Sequence, residues 1–215
     1  MRLIGGVRPW LGLLCAVPLW VAPVQALGVP SPANSTAPSL ITLMGRSAGV
    51  VSPLGAFDVV VRDLANNPVG GARVIVDLGL CADLHLCADP QEPGTTVDCV
   101  NRRASRLTDA TGRAHFTLLG GSIGMSTAWL PHHMGRIFWE GQLIAAPTVA
   151  AYDLDGANGV GANDLSVWLD DFGSALDIGR SDYDGSGVVG VNDLSLWLTV
   201  FGSATSLESC ASTCP

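Results

Sequence analysis

The C-terminal part of the chain is written twice. Residues 153–169 and 182–198 align at an offset of 29. Asn163-Asp164-Leu165-Ser166 recurs as Asn192-Asp193-Leu194-Ser195, and Trp168 recurs as Trp197. Phe172-Gly173-Ser174-Ala175 recurs as Phe201-Gly202-Ser203-Ala204. Such a duplication marks one small supersecondary unit that buries its apolar face against its neighbour. Each copy reads as an acidic, glycine-rich loop followed by an amphipathic helix of about two turns. Leu165, Trp168, Leu169 and Phe172 fall on one helical face. Gly173 and Gly202 sit where a helix would stop.

The loops have a specific chemistry. Calcium is a hard cation that takes six to eight oxygens. A 12-residue EF-hand loop supplies them from positions 1, 3, 5, 7 (a backbone carbonyl), 9 and 12, with a sharp turn at position 6. In the second loop these ligands are Asp182, Asp184, Ser186, the Val188 carbonyl and Asp193, with Gly190 at the position often served through water and Gly187 at the turn. In the first they are Asp153, Asp155, the Gly159 carbonyl and Asp164, with Asn158 at the turn. Ala157 removes one side-chain oxygen from the first loop, so two Ca2+ sites are expected, the first the weaker. Asn158 can adopt the left-handed turn conformation that glycine adopts more freely. The rival reading is a pair of ordinary Asp-Gly turns. Two frames with acids at 1, 3 and 12, both feeding the same helix, favour the cation.

Charge is distributed to match. Residues 27–150 carry eight arginines against nine acids, and residues 151–215 carry Arg180 against ten. A concentrated acidic module therefore follows a near-neutral one. The net charge of -8 excludes the basic footprint of a nucleic-acid binder. All 11 basic residues are arginine, which excludes P-loop and lysine Schiff-base chemistry.

A full EF-hand also has an incoming helix, whereas residues 143–152 carry Pro147 and read as a strand end or linker. Loop followed by exiting helix, duplicated and without an incoming helix, resembles the type I dockerin module over residues 151–204. The resemblance implies two calcium loop–helix units packed together and a helix surface that docks into a cohesin-like protein on a scaffold or another cell-surface protein. The recognition pairs depart from the usual Ser/Thr type: they are Ala162-Asn163 and Val191-Asn192. Trp168 and Trp197 read as core residues of the helix pair.

Residues 39–150 read as an all-β sandwich. Strand-like runs fall at about 39–44, 56–63, 72–79, 95–99, 102–108, 113–119 and 136–146, separated by Gly, Pro and Asn clusters. Asn67-Pro68 and Gly70-Gly71 form a turn between two Val-rich runs. The run Asp63…Asn67-Pro68-Val69…Gly71-Ala72, followed by Thr108-Asp109…Gly112…Ala114…Phe116-Thr117-Leu118, resembles bacterial Ig-like domains of the invasin/intimin type. That implies a fold used for spacing or binding. The expected fold class is thus an Ig-like sandwich followed by a small helical, dockerin-like calcium module. Residues 27–38 are expected to be a flexible lead-in, and residues 205–215 a cysteine-containing tail.

Residues 1–26 carry Arg2 and Arg8, an apolar run, and Val24-Gln25-Ala26, the pattern of a secretory signal peptide. The expected location is outside the cell or on a bacterial cell surface, with no membrane span in the mature chain. Of the five remaining cysteines, Cys81, Cys87 and Cys99 fall in the sandwich, and Cys210 and Cys214 in the tail. One bridge in each part, with one thiol left over, is the expected arrangement. A zinc site from Cys81, His85 and Cys87 is the alternative. Arg102, Arg103 and Arg106 read as a strand rim balanced by acids, and His132-His133 as a turn. No G-x-S-x-G or H-E-x-x-H motif is present, so a non-catalytic protein is expected. The alternative function is a carbohydrate-binding accessory of a polysaccharide-degrading assembly, with Trp129, Phe138 and Trp139 as candidate contacts.

Overall fold

A computed structural model of the chain describes residues 28–89, 91–124, 134–174 and 179–214. The proposed signal peptide, Trp129 and His132-His133 lie outside the described residues. The first five strands are β1 (Leu40–Leu43), β2 (Arg46–Ser47), β3 (Val50–Val51), β4 (Phe57–Val60) and β5 (Arg73–Asp77). The next five are β6 (Leu84–Leu86), β7 (Thr96–Asp98), β8 (Arg103–Leu107), β9 (Arg113–Phe116) and β10 (Gly120–Ser122). The last three are β11 (Arg136–Trp139), β12 (Gln142–Ala145) and β13 (Thr148–Ala151); helices α1 (Ala162–Phe172) and α2 (Val191–Ser203) follow.

Two β layers face each other. One is a five-stranded antiparallel sheet in the order β12-β11-β5-β8-β7. The other is assembled from pairs: β4 with β9, β6 with β10, and β1 with β13, the last parallel. The run from β9 into β10 joins them, because Met44 pairs with Leu119 and the Cys87 N–H donates to the Leu119 carbonyl at 3.0 Å. Strand side chains alternate between faces. Val59 and Val61, Val74, Val76 and Leu78, and Ala114, Phe116 and Leu118 accordingly meet in one dry core.

β13 is buried on both faces over residues 149–151, whereas β1 buries Ile41 and Leu43 fully and leaves Leu40 and Thr42 half-buried. Ile41, Leu43, Val149 and Ala151 enter the sandwich core. Met44, Ala150 and Tyr152, just beyond or on the opposite face, enter a second core with Leu154, Val160, Trp168, Tyr183, Trp197 and Val200. The loop–helix module is therefore seated on the sandwich. The stretch around Pro147 connects β12 to β13, and β13 stands where an incoming helix would be.

Several expectations are corrected. The run at 136–146 is a hairpin, folded at Glu140-Gly141, whose φ angles are 40° and 88°. β10 gives no strand signal because it is Gly120-Gly121-Ser122. A Cβ on Gly120 would overlap the His85 carbonyl, and one on Gly121 would lie 3.0 Å from the Asp153 carbonyl oxygen. Glycine in a strand here marks close backbone approach. The lead-in is anchored: the Ser31 N–H donates to the Arg62 carbonyl at 2.7 Å, and Thr36 pairs with Val60. The helices are longer than two turns, at 11 and 13 residues. Gly173 does cap α1, but α2 runs through Gly202 and ends at Ala204, whose φ is 53°.

The disulfides also differ from expectation. They join Cys87 to Cys210 and Cys99 to Cys214, so both tie the tail to the sandwich. The tail lies along β6, with the Cys214 N–H donating to the Leu86 carbonyl and the Ala88 N–H to the Ser212 carbonyl, each at 2.8 Å. This brings each tail cysteine opposite a sandwich cysteine. Cys81 is the leftover thiol and is buried. With Cys87 consumed, the Cys81–His85–Cys87 zinc alternative falls away. Burial pushes the Cys81 thiol up to about 12, so it is inert as a nucleophile.

Candidate metal centres

Each loop folds around the acid at its last position. α1 opens at Ala162, which places Asp164 in its first turn, with the carboxylate reaching back to the Gly161 N–H at 2.6 Å. Its other oxygen accepts the N–H groups of Leu154 (2.6 Å) and Asp155 (2.8 Å). One carboxylate thereby closes both ends of the loop and satisfies an orphan donor at the helix N-terminus. The second copy repeats the arrangement. Asp193 accepts from Gly190 (2.8 Å), Tyr183 (2.6 Å) and Asp184 (3.0 Å).

This closure gathers the acids. Asp153, Asp155 and Asp164 each offer a carboxylate oxygen, and these atoms all lie within 4.8 Å of one another; the same holds for Asp182, Asp184 and Asp193. The left-handed turns fall where the loop frame places them, at Asn158 (φ 63°) and Gly187 (φ 82°). Asp182 accepts the N–H groups of Ser186 (3.0 Å) and Gly187 (2.8 Å). Asp153 is 2 % exposed, and its Oδ1 is buried without a hydrogen-bond partner. Ser186 and Val188 meet each other, the Ser186 hydroxyl donating to the Val188 carbonyl at 3.1 Å. Gly159 is buried in a left-handed turn.

The electrostatics follow from crowding. Burial, then the neighbouring Asp164 and Asp155, push the Asp153 carboxyl up to about 7. Burial also raises Asp164 and Asp182. Asp184, fully at the surface, is held below the usual range by its hydrogen bonds from Ser186. Like charges confined in low dielectric disfavour ionisation, and a cation reverses that preference. The donor set is all oxygen, which fits a hard divalent ion.

Around the loops, the duplicated aromatics form the module core. Trp168 and Trp197 are each 1 % exposed. Each stacks on the phenylalanine four residues on, with ring centroids 5.2 Å apart. Tyr152 and Tyr183 stack at 4.4 Å between the two repeats. The apolar stripe on α1 is only partly buried. Leu169 and Phe172 are 54 % and 48 % exposed, and their counterparts Leu198 and Phe201 are 48 % and 43 %. The sandwich, rather than the twin helix alone, covers the tryptophan side, and each helix leaves a Leu and a Phe facing solvent.

The sequence reading missed Arg180. It is buried and donates to both oxygens of Asp171 at 2.8 and 2.7 Å and to the Ser122 hydroxyl at 3.2 Å. As the one base among ten acids it was the available signal. Elsewhere, Arg103 pairs with the buried Asp77 and Arg106 with Glu92, as a balanced strand rim requires, whereas Arg102 donates to the Cys81 and Leu84 carbonyls instead of an acid. Trp139 is half-buried against the sandwich core, and the Arg136 guanidinium covers Phe138 at 5.5 Å.

No protein-family model and no curated protein matches this chain. Among solved structures it is similar to the Yersinia pseudotuberculosis adhesin InvE, at 18 % identity and a TM-score of 0.24. That likeness covers 58 % of this chain and 28 % of the adhesin, so the chain spans under a third of that protein's length. At this TM-score it assigns nothing to the present chain. The two disulfides fit an oxidising compartment. Among the described residues no helix is long and apolar enough to cross a membrane.

Proposed function

We propose that this is an exported, non-catalytic protein whose paired loops bind two Ca2+ ions and whose helices dock onto a protein partner, with the sandwich as spacer. The observation that carries the reading is the duplicated triad of convergent carboxylates at loop positions 1, 3 and 12. The orphaned Asp153 oxygen supports it, because a buried polar atom without a partner costs free energy that a ligand recovers. Calcium acts on stability here: carboxylates that repel one another when bare are neutralised, and binding free energy becomes folding free energy. The exposed Leu169 and Phe172 of α1 and Leu198 and Phe201 of α2 are the docking residues that go with this reading, since exposed large apolar side chains on one element mark interaction sites. The partner is a cohesin-like or other cell-surface protein.

The test is calorimetry of CaCl2 into the full chain from residue 27, disulfides intact, with thermal unfolding in calcium and in chelator. Two binding events and a concentration-dependent rise in Tm are expected, each site contributing about 2.7 kcal/mol at a hundredfold excess over its Kd. Absence of binding at millimolar calcium overturns the reading and leaves the loops as turns.

A further inference from the structure

The two loops are near copies in sequence, yet their surroundings differ. α2 ends at Ser203, Ala204 reverses the chain, and the tail runs back over the first loop. The buried Ser206 carbonyl accepts the Val160 N–H at 2.8 Å. The backbone of Ser206, Leu207 and Glu208 covers Gly159 so closely that a Cβ there would overlap it. Glu208 then pairs with Arg46 through both backbone bonds, 3.1 and 2.9 Å, and its carboxylate accepts the Ala48 N–H at 2.8 Å. Beyond it, Cys210 and Cys214 are bonded to Cys87 and Cys99 of the sandwich.

The Val160 N–H and the Gly159 carbonyl belong to one planar trans peptide, so they point in opposite directions. Tethering the N–H to Ser206 therefore sets the direction of the Gly159 carbonyl, the backbone ligand at position 7 of the first loop. Among the described residues no such bond reaches the Val188–Val189 peptide of the second loop. There Val188 is 68 % exposed, and its carbonyl is held only by the local Ser186 hydroxyl.

We propose that the disulfide-anchored tail is a positioning element of the first cation site alone, with the Ser206 carbonyl as the group that orients the Gly159 ligand. The proposal rests on the calcium reading above. It makes the first site, poorer by one side-chain oxygen at Ala157, dependent on preorganisation from outside the repeat. If release of the tail leaves the Gly159 peptide correctly aimed about a tenth of the time, apparent affinity falls roughly tenfold.

The experiment titrates CaCl2 into the full chain from residue 27 carrying either Asp182→Ala, which isolates the first site, or Asp153→Ala, which isolates the second. Each is compared with and without the four changes Cys87→Ser, Cys99→Ser, Cys210→Ser and Cys214→Ser together, since either disulfide alone keeps the tail tethered. The expected result is about a tenfold weakening at the first site and a change of under about twofold at the second. Equal weakening at both sites, or none at the first, overturns the proposal. Should loss of both disulfides abolish folding, Glu208→Pro, which keeps them but removes the Glu208 N–H bond to Arg46 and the carboxylate's bond to Ala48, decides: weakening confined to the first site supports the tail's role, and an unchanged first site overturns it. Failure of the unaltered chain to bind calcium at all removes the calcium reading itself, an outcome distinct from two working sites indifferent to the tail.

Discussion

Replacing Arg180 with methionine is expected to cost about 4 kcal/mol of folding stability. Arg180 and Asp171 have side chains that are each 1 % exposed, and they join the 3-10 turn Gly179–Ser181 to the last turn of α1. The guanidinium donates two bonds to the carboxylate and a third to Ser122 of β10, so it also fastens the module to the sandwich. Hydrogen bonds to a charged partner contribute roughly 1.5–3 kcal/mol each, which puts the pair at about 3–6 kcal/mol. Removing one member of a buried ion pair costs about 3–5 kcal/mol, because the other charge stays behind unpaired. Among the described residues, Asp171 would keep only the Ser181 hydroxyl, at 2.6 Å. The Arg180→Met/Asp171→Leu double variant is expected to be more stable than Arg180→Met alone, since no buried charge remains. Urea unfolding with disulfides intact and chelator present measures all three. A cost below about 1 kcal/mol for Arg180→Met, or a double variant no better than the single, would refute this account of how the module is held.

Other outcomes are equally specific. In chelator, stability should fall as pH rises from 3.8 to about 7, because folded Asp153 holds its proton over a window where the unfolded chain has released it; saturating calcium should remove that slope. Thermal melts across this range check both halves. Asp164→Ala removes the acceptor of three backbone N–H groups and should destabilise the chain even without calcium, by about 1–3 kcal/mol in urea unfolding. Ala157→Asp restores a side-chain oxygen at position 5 and should tighten the first site alone, read by calorimetry on the Asp182→Ala background.

What the sequence reveals and hides divides along locality. The acid triads are legible because each is closed within a dozen residues by a helix whose first turn carries the last acid. The strand alternation around Val74 and Val76 is legible for the same reason. The tail's course is not, since nothing near Cys210 or Cys214 says that their partners lie in the sandwich. For α1, periodicity locates an apolar face without saying how much of it a neighbour covers. Leu169 and Phe172 share the stripe with Trp168 and remain exposed. Asn158 shows the opposite: its left-handed turn follows from the loop frame and from the tolerance of asparagine for positive φ.

The pairing of β1 with β13 bears on how the molecule is made. Leu40 is matched with Thr148, the two ends of the β part of the chain. A chain made amino end first presents β1 long before its partner arrives. Contacts of such separation are slow to form and leave apolar strands open to wrong pairing meanwhile. Since β13 belongs to both cores, a chain halted before Ala151 completes neither, and one halted just after it leaves Met44, Ala150 and Tyr152 uncovered. The sandwich and the repeat pair thus share β13, and neither core is complete until that strand is in place.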